Sequence, residues 1–170
     1  MKNVIISRNG PNSLHEEWLT NSDTKNWDLI LLYYDEESFR SSQNQEGKSF
    51  YYPGGKWEAY YNFFQNHPEI LNRYDYFWFA DDDISLQGNK INKMFQIMSD
   101  YDLDIAQPAM SLDSYFSYLI TIQCEFLKIR FSNFVEVMAP CLRKSIVKDM
   151  LPYFKDAFSG MGLDSIWTHK

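Results

Sequence analysis

Three short, nearly unbroken apolar runs constrain this chain more than anything else in it: NVIIS at 3–7, WDLILLYY at 27–34, and the aromatic stretch of YDYFWFADDDI at 74–84. Each has the length of a strand and is bounded by turn-forming or acidic residues. Helical patterns lie between and after them. Ser13 and Glu16 have capping-box spacing, with Leu14 and Trp18 on one face, which predicts a helix from Ser13. Trp57, Tyr60, Tyr61 and Phe64 recur at i, i+3, i+4 and i+7 and predict a second helix, ended by Asn66-His67-Pro68. Ile91, Met94, Phe95 and Met98 repeat that spacing for a third. Strands alternating with helices imply an α/β fold: a three-layer α/β/α sandwich around a mainly parallel central sheet.

The remaining segments read less regularly. Residues 38–54 are polar, with SSQNQ at 41–45 and PGG at 53–55, and form the most loop-like stretch. A short strand is expected over 104–107, stopped by Pro108. Strands are expected in YLITIQCEF at 118–126 and FSNFVEVMAP at 131–140, giving a more antiparallel C-terminal half. A last helix over 145–154, broken or kinked at Pro152, precedes the loop SGMGLD. The length fits one domain over 1–170, and the chain stops at Lys170 with its last motif barely complete, so we expect C-terminal truncation.

Composition excludes several classes. The formal charge is −7 with no stripe of Lys or Arg, which argues against nucleic acid as a partner. Cys124 and Cys141 belong to no CxxC pattern, so neither a zinc site nor a disulfide framework is indicated. No segment has the ~20 apolar residues of a transmembrane span, and the start resembles no signal peptide, so we expect a cytoplasmic protein. Aromatic residues make up 18% of the chain, so ring packing must supply much of the core.

The aspartates Asp81, Asp82 and Asp83 follow an apolar strand, where open parallel sheets bind ligands. On a continuing strand Asp81 and Asp83 would share a face, and at ~5 Å their carboxylates would repel by roughly 3 kcal/mol at an effective dielectric near 20. Mg²⁺ or Mn²⁺ would remove that cost, and a solvated acidic turn or a helix cap is the plain alternative. A calcium loop starting at Asp81 fails, because it needs Gly and Glu where Leu86 and Asn92 stand. A haloacid-dehalogenase-like phosphohydrolase, with Asp81 as nucleophile, is matched superficially by Asp81, Asp83 and Ser85. Asp164 in SGMGLD suits a helix cap or a catalytic acid at a cleft mouth, and Lys56 in PGGKW suits an anion site at a helix start. Glu136, alone in an apolar stretch, suits a structural carboxylate or a ligand for a substrate hydroxyl.

Taken together, GPNSLHEEW, WDLILLYYD, GGKW, YDYFWFADDDI, AQPAM, NFVEVMAP and GMGLD resemble, in order, a bacterial group of glycosyltransferase-like proteins with the GT-A fold. That group is related to a plant domain family of unknown function whose members carry a name concerning lysine-ketoglutarate reductase trans-splicing. The resemblance implies a GT-A-like sandwich and a metal-dependent transfer of sugar from a nucleoside-diphosphate sugar to a glycan or other acceptor hydroxyl. It implies Mn²⁺ or Mg²⁺ held by Asp81 and Asp83, and Arg8, Asn12, Lys56, Asp81 and Asp82 around the nucleotide sugar. Asp164 would be the base on the acceptor. His169 follows Asp164 too closely to be assigned as a further metal ligand. A non-catalytic sugar-nucleotide-binding domain is the remaining alternative.

Overall fold

The computed structural model describes residues 1–22, 24–42 and 47–169. Its first apolar run is β1 (Asn3–Asn9), buried at every position and hydrogen-bonded on both sides. The second is β2 (Trp27–Tyr33) and the third β4 (Tyr76–Asp81), both parallel to β1. Together with β3 (Lys48–Tyr51), β5 (Ile105–Ala106) and β6 (Cys141–Arg143) they form a six-stranded sheet in the order β3-β2-β1-β4-β6-β5. β6 runs antiparallel to both β4 and β5, so β5 points the same way as β4.

Side chains alternate between two helical layers, as strands buried on both faces require. Val4, Ile6, Leu32, Phe77 and Phe79 face α3 (Lys56–Asn66), α6 (Lys144–Phe154) and α7 (Leu163–Trp167). Ile5, Leu31, Tyr76, Trp78 and Ala80 face Trp18 of α1 (His15–Trp18) and Ile91, Phe95 and Met98 of α5 (Gly88–Asp100). The expected three-layer sandwich is therefore borne out. Rings hold the first layer: Trp57 packs 4.6 Å from Phe154 and 5.6 Å from Trp167 between centroids. Truncating such a buried tryptophan costs about 3–5 kcal/mol.

Several local expectations change. α1 is a single turn beginning at His15, and the Ser13 hydroxyl caps no helix but meets the His15 ring at 2.7 Å. The polar 38–54 stretch holds the end of α2 (Glu36–Ser41), capped by Asp35 accepting from Ser38 N–H, and the edge strand β3. Polar edge residues hid both, and 43–46 lie outside the described residues. A further helix, α4 (Pro68–Arg73), starts on Pro68, where a missing N–H costs nothing. α6 runs through Pro152 unbroken, because the exposed ring sits in its last turns beside exposed Lys148, whose freed carbonyl water can satisfy.

The largest correction concerns residues 107–140. Neither 118–126 nor 131–140 forms a strand; a 3-10 turn at Leu119–Thr121 and a lone bridge from Met110 to Ile122 stand there. Residues 138–140 meet β4 only through the Met138 and Pro140 carbonyls, beside a turn at 137–138, and otherwise this stretch joins no strand among the described residues. Among the described residues, no helix is long and apolar enough to cross a membrane.

Candidate functional site

The chain leaves β1 toward β2 on one side of the sheet and returns to β4 on the other. The carboxyl ends of β1 and β4 therefore flank a topological switch point, where open α/β sheets bind ligands. Gly10 and Asp82 meet there: the Gly10 N–H donates to the Asp82 carboxylate at 2.8 Å, and the Asp82 carbonyl accepts from Leu14 N–H at 2.6 Å. Asp82 thus pins the loop after β1 to the end of β4. Burial pushes its carboxyl above the ordinary range; the Gly10 N–H opposes that, and the charges of Asp83 and Asp81 add to it.

β4 ends at Asp81 and the chain turns at once, so Asp81 and Asp83 do not share a strand face as the continuing-strand argument expected. Asp81 is half-buried and Asp83 exposed. Among the described residues no three His, Cys, Asp or Glu side chains gather into a preformed metal cage. Asp81, Asp82 and Asp83 are consecutive hard oxygen donors at the carboxyl end of β4, and the charges of Asp81 and Asp83 both act on Asp82. Such a set fits Mg²⁺ or Mn²⁺, which take one or two carboxylates and complete their shell with phosphate oxygens and water.

Lys56 opens α3 but points its ammonium inward. Nζ donates to Asp81 Oδ1 at 2.6 Å and to the carbonyls of Val137 and Met138 at 2.8 and 3.3 Å. All three donors are engaged, so the lysine ties α3, β4 and the 137–138 segment together rather than standing open for an anion. Arg8 is likewise committed: it is 5% exposed and donates to the carbonyls of Leu32, Tyr52 and Gly54 at 3.2, 2.5 and 2.6 Å. It holds the loop that leads into α3. Asn12 lies exposed at the tip of the loop after β1, close in sequence to Gly10.

Residues 138–140 run beside β4, with Asp81 N–H donating to the Met138 carbonyl at 3.0 Å and Phe79 N–H to that of Pro140 at 2.9 Å. This places Glu136 at the same edge. Its side chain is buried, and its Oε2 has no hydrogen-bond partner. Burial raises the Glu136 carboxyl above its usual range, the charges of Asp81 and Asp164 raise it further, and Lys56 opposes them. Asp164 is brought near by α7, whose Trp167 donates its indole N–H to the Val135 carbonyl at 3.0 Å. The Asp164 carboxylate accepts from Ser165 N–H at 2.9 Å, and Gly162 rather than Asp164 occupies the helix cap. The loop before it returns to the start of α3: a Cβ on Gly160, at φ +76°, would lie 2.4 Å from Trp57 Nε1.

Of the predicted residues, then, Asp81, Asp82, Lys56 and Asp164 converge, while Arg8 lies beneath them and Asn12 and Asp83 at the margin. Sequence reasoning missed Asn9 and His15, both buried; the Asn9 carboxamide lies 2.6 Å from Ser13 Oγ and 3.0 Å from His15 Nδ1. The polar end SRN of an otherwise apolar strand was the available signal.

A family profile described as a protein of unknown function (DUF707) matches residues 15–145. No curated protein matches the sequence. Among solved structures the chain is similar to S. aureus TarS 1-349 in complex with UDP, at 12% identity over 99% of this chain and 53% of that one, with a TM-score of 0.58. It is similar to CMP:2-keto-3-deoxy-manno-octonic acid synthetase complexed with CTP, at 12% identity over 97% and 85%, TM-score 0.53. It is also similar to 4-diphosphocytidyl-2C-methyl-D-erythritol synthase from Anaerococcus prevotii, at 14% identity over 99% and 81%, TM-score 0.51. The chain spans about half the length of TarS 1-349. These likenesses place the fold among the GT-A-like α/β sandwiches.

Proposed function

The chain belongs to the DUF707 family of proteins of unknown function, and from that premise we propose that it is a glycosyltransferase catalytic domain holding a nucleoside-diphosphate sugar at the switch point between β1 and β4. One observation carries the reading: Asp81 takes the Lys56 ammonium, and the charges of Asp81, Asp164 and Lys56 all act on Glu136, so carboxylates from three separate segments face one another at the carboxyl edge of the sheet. TarS, a neighbour in fold, binds UDP, which favours a uridine or similar nucleoside diphosphate as the donor's nucleotide.

In this reading Asp81 and Asp82, with Asp83 at the rim, would hold Mn²⁺ or Mg²⁺. When bound, the cation neutralises charge on the departing nucleoside diphosphate. Lys56 fixes Asp81 in place, and Arg8 fixes the 52–54 loop against β1. Asp164 takes the proton of the acceptor hydroxyl, a glycan being the natural acceptor class. Glu136 supplies the unpartnered Oε2 as an acceptor, or once protonated a donor, for a sugar hydroxyl entering the cleft.

A second reading is nucleotidyl transfer, favoured by one observation: the chain spans 85% and 81% of the two cytidylyl-type synthases but 53% of TarS 1-349. One panel separates the two. Purified protein with Mn²⁺ is given nucleotide sugars, with release of nucleoside diphosphate followed, and in parallel nucleoside triphosphates with sugar acids or sugar phosphates, with release of pyrophosphate followed. Nucleoside diphosphate release that falls at least a hundredfold in Asp164→Asn supports sugar transfer. Pyrophosphate release alone overturns it.

A further inference from the structure

Between α5 and the 103–135 excursion lies a cavity of about 330 Å³, at the lower end of the range of small-molecule sites. Its wall is apolar, built from Met94, Ile97 and Met98 of α5 with Leu103, Ile122 and Val135. Its charged lining is of one sign only: Lys90, Lys93, Lys128 and Arg130 contribute, and no Asp or Glu among the described residues does. On a chain of net charge −7 this segregation marks a place that receives negative charge. Lys90 and Lys93 are exposed neighbours on one face of α5. Arg130 donates to the carbonyls of Ile120 and Ile122 and so braces the excursion, and Lys128 lies over the Tyr101 ring.

The lining also continues into water. Ile120, Leu127 and Phe131 line the cavity and are 41%, 52% and 81% exposed, an apolar rim left open among the described residues. An apolar interior, an apolar rim and two exposed ammonium groups at one side together describe the complement of a molecule with a hydrocarbon chain and a single anionic head.

We propose that this cavity binds an anionic amphiphile, with its hydrocarbon chain along α5 against Ile97 and Val135 and its phosphate or carboxylate head at Lys90 and Lys93. The Gln107 side chain, also in the lining, accepts from Glu136 N–H at 2.5 Å. Binding here does not depend on whether Asp164 serves as a base.

Dodecyl phosphate, titrated below its micellar concentration and followed by calorimetry, tests the proposal. Inorganic phosphate supplies the head alone, dodecyl maltoside the chain with a neutral head, and phosphatidylcholine vesicles with or without phosphatidylglycerol supply a bilayer. The expected result is saturable one-site binding of dodecyl phosphate, weakened about tenfold or more by Lys90→Glu with Lys93→Glu and lost in Ile97→Trp, with circular dichroism unchanged. The charge-reversed pair sits on the exposed face of α5 and keeps the test decisive if Ile97→Trp misfolds. The proposal is overturned if dodecyl maltoside or inorganic phosphate binds as well as dodecyl phosphate, if the charge-reversed protein binds unchanged, or if only vesicles are bound.

Discussion

The Lys56 ammonium sits 2.6 Å from Asp81 Oδ1 and also donates to the carbonyls of Val137 and Met138, so one side chain closes the sheet edge where β4, α3 and the Glu136 segment meet. Replacing it leaves a carboxylate without its cation and takes the lysine donor from the Val137 carbonyl, while the Met138 carbonyl keeps the Asp81 N–H.

Lys56→Met is therefore expected to destabilise the fold by about 1–3 kcal/mol, toward the lower part of that range because the Asp81 side chain is 35% exposed and screened by solvent. Urea unfolding at neutral pH measures this. An unchanged midpoint would mean that the three bonds contribute nothing net.

Glu136 sets a pH dependence. Its folded-state carboxyl titrates above the ordinary glutamate value of 4.5, because burial and the charges of Asp81 and Asp164 penalise the ionised form. The folded chain then binds more protons than the unfolded chain between those two values, so stability falls as pH rises from about 4.5 through the folded pKa. Glu136→Gln removes the charge and keeps the shape. It should be more stable than the parent at pH 7, with the difference vanishing below pH 4.5. Chemical unfolding of both proteins across that window decides it; a constant difference would count against the mechanism.

Two glycines in the 160–162 turn separate space from strain. Gly160 and Gly162 both have positive φ, but a Cβ on Gly160 would strike the Trp57 indole whereas one on Gly162 meets nothing within 4 Å. Gly162→Ala should cost roughly 1–2 kcal/mol from backbone strain alone, and Gly160→Ala about 1–3 kcal/mol more. Equal losses in thermal or urea unfolding would show that Trp57 yields to the added methyl.

The two thiols should differ in reactivity. Cys124 is exposed at the rim of the α5 cavity, whereas Cys141 is buried in β6 and burial raises its thiol far above the usual range. A colorimetric thiol reagent at pH 8 should label one cysteine rapidly in the folded protein and the second only after unfolding. Rapid labelling of both would mean that β6 opens readily.

The parts of the fold legible in the sequence were those with a strong period or an unbroken apolar run. β1, β2 and β4, and the helices carrying Trp57 and Ile91, emerged where hydrophobic spacing placed them. α2 and β3 stayed hidden because they lie within a stretch dominated by polar residues, and the helix expected from Ser13 shrinks to one turn at His15 because Ser13 turns its hydroxyl to His15 instead of capping. The aromatic and β-branched residues of 118–140 suggested strands, but a strand also needs a ladder partner, and pairing is a property of the whole sheet. At the carboxyl edge, residue types singled out Asp81, Asp82, Lys56 and Asp164 as candidates. They did not reveal that Lys56 and Arg8 are consumed by backbone carbonyls, nor that burial and neighbouring charge single out Glu136, because both depend on segments distant in sequence.

The central claim is that the carboxyl edge between β1 and β4 is a cation-assisted nucleoside-diphosphate site, and calorimetric titration with UDP tests it most directly. The proteins compared are the parent, Asp81→Asn, Asp82→Asn and Asp83→Asn, with Mn²⁺ and with a chelator. The account predicts saturable binding only with Mn²⁺, weakened at least tenfold by Asp81→Asn or Asp82→Asn and less by Asp83→Asn, whose carboxylate is the most exposed of the three. UDP binding of equal strength with the chelator, or undiminished in Asp81→Asn and Asp82→Asn, would contradict it.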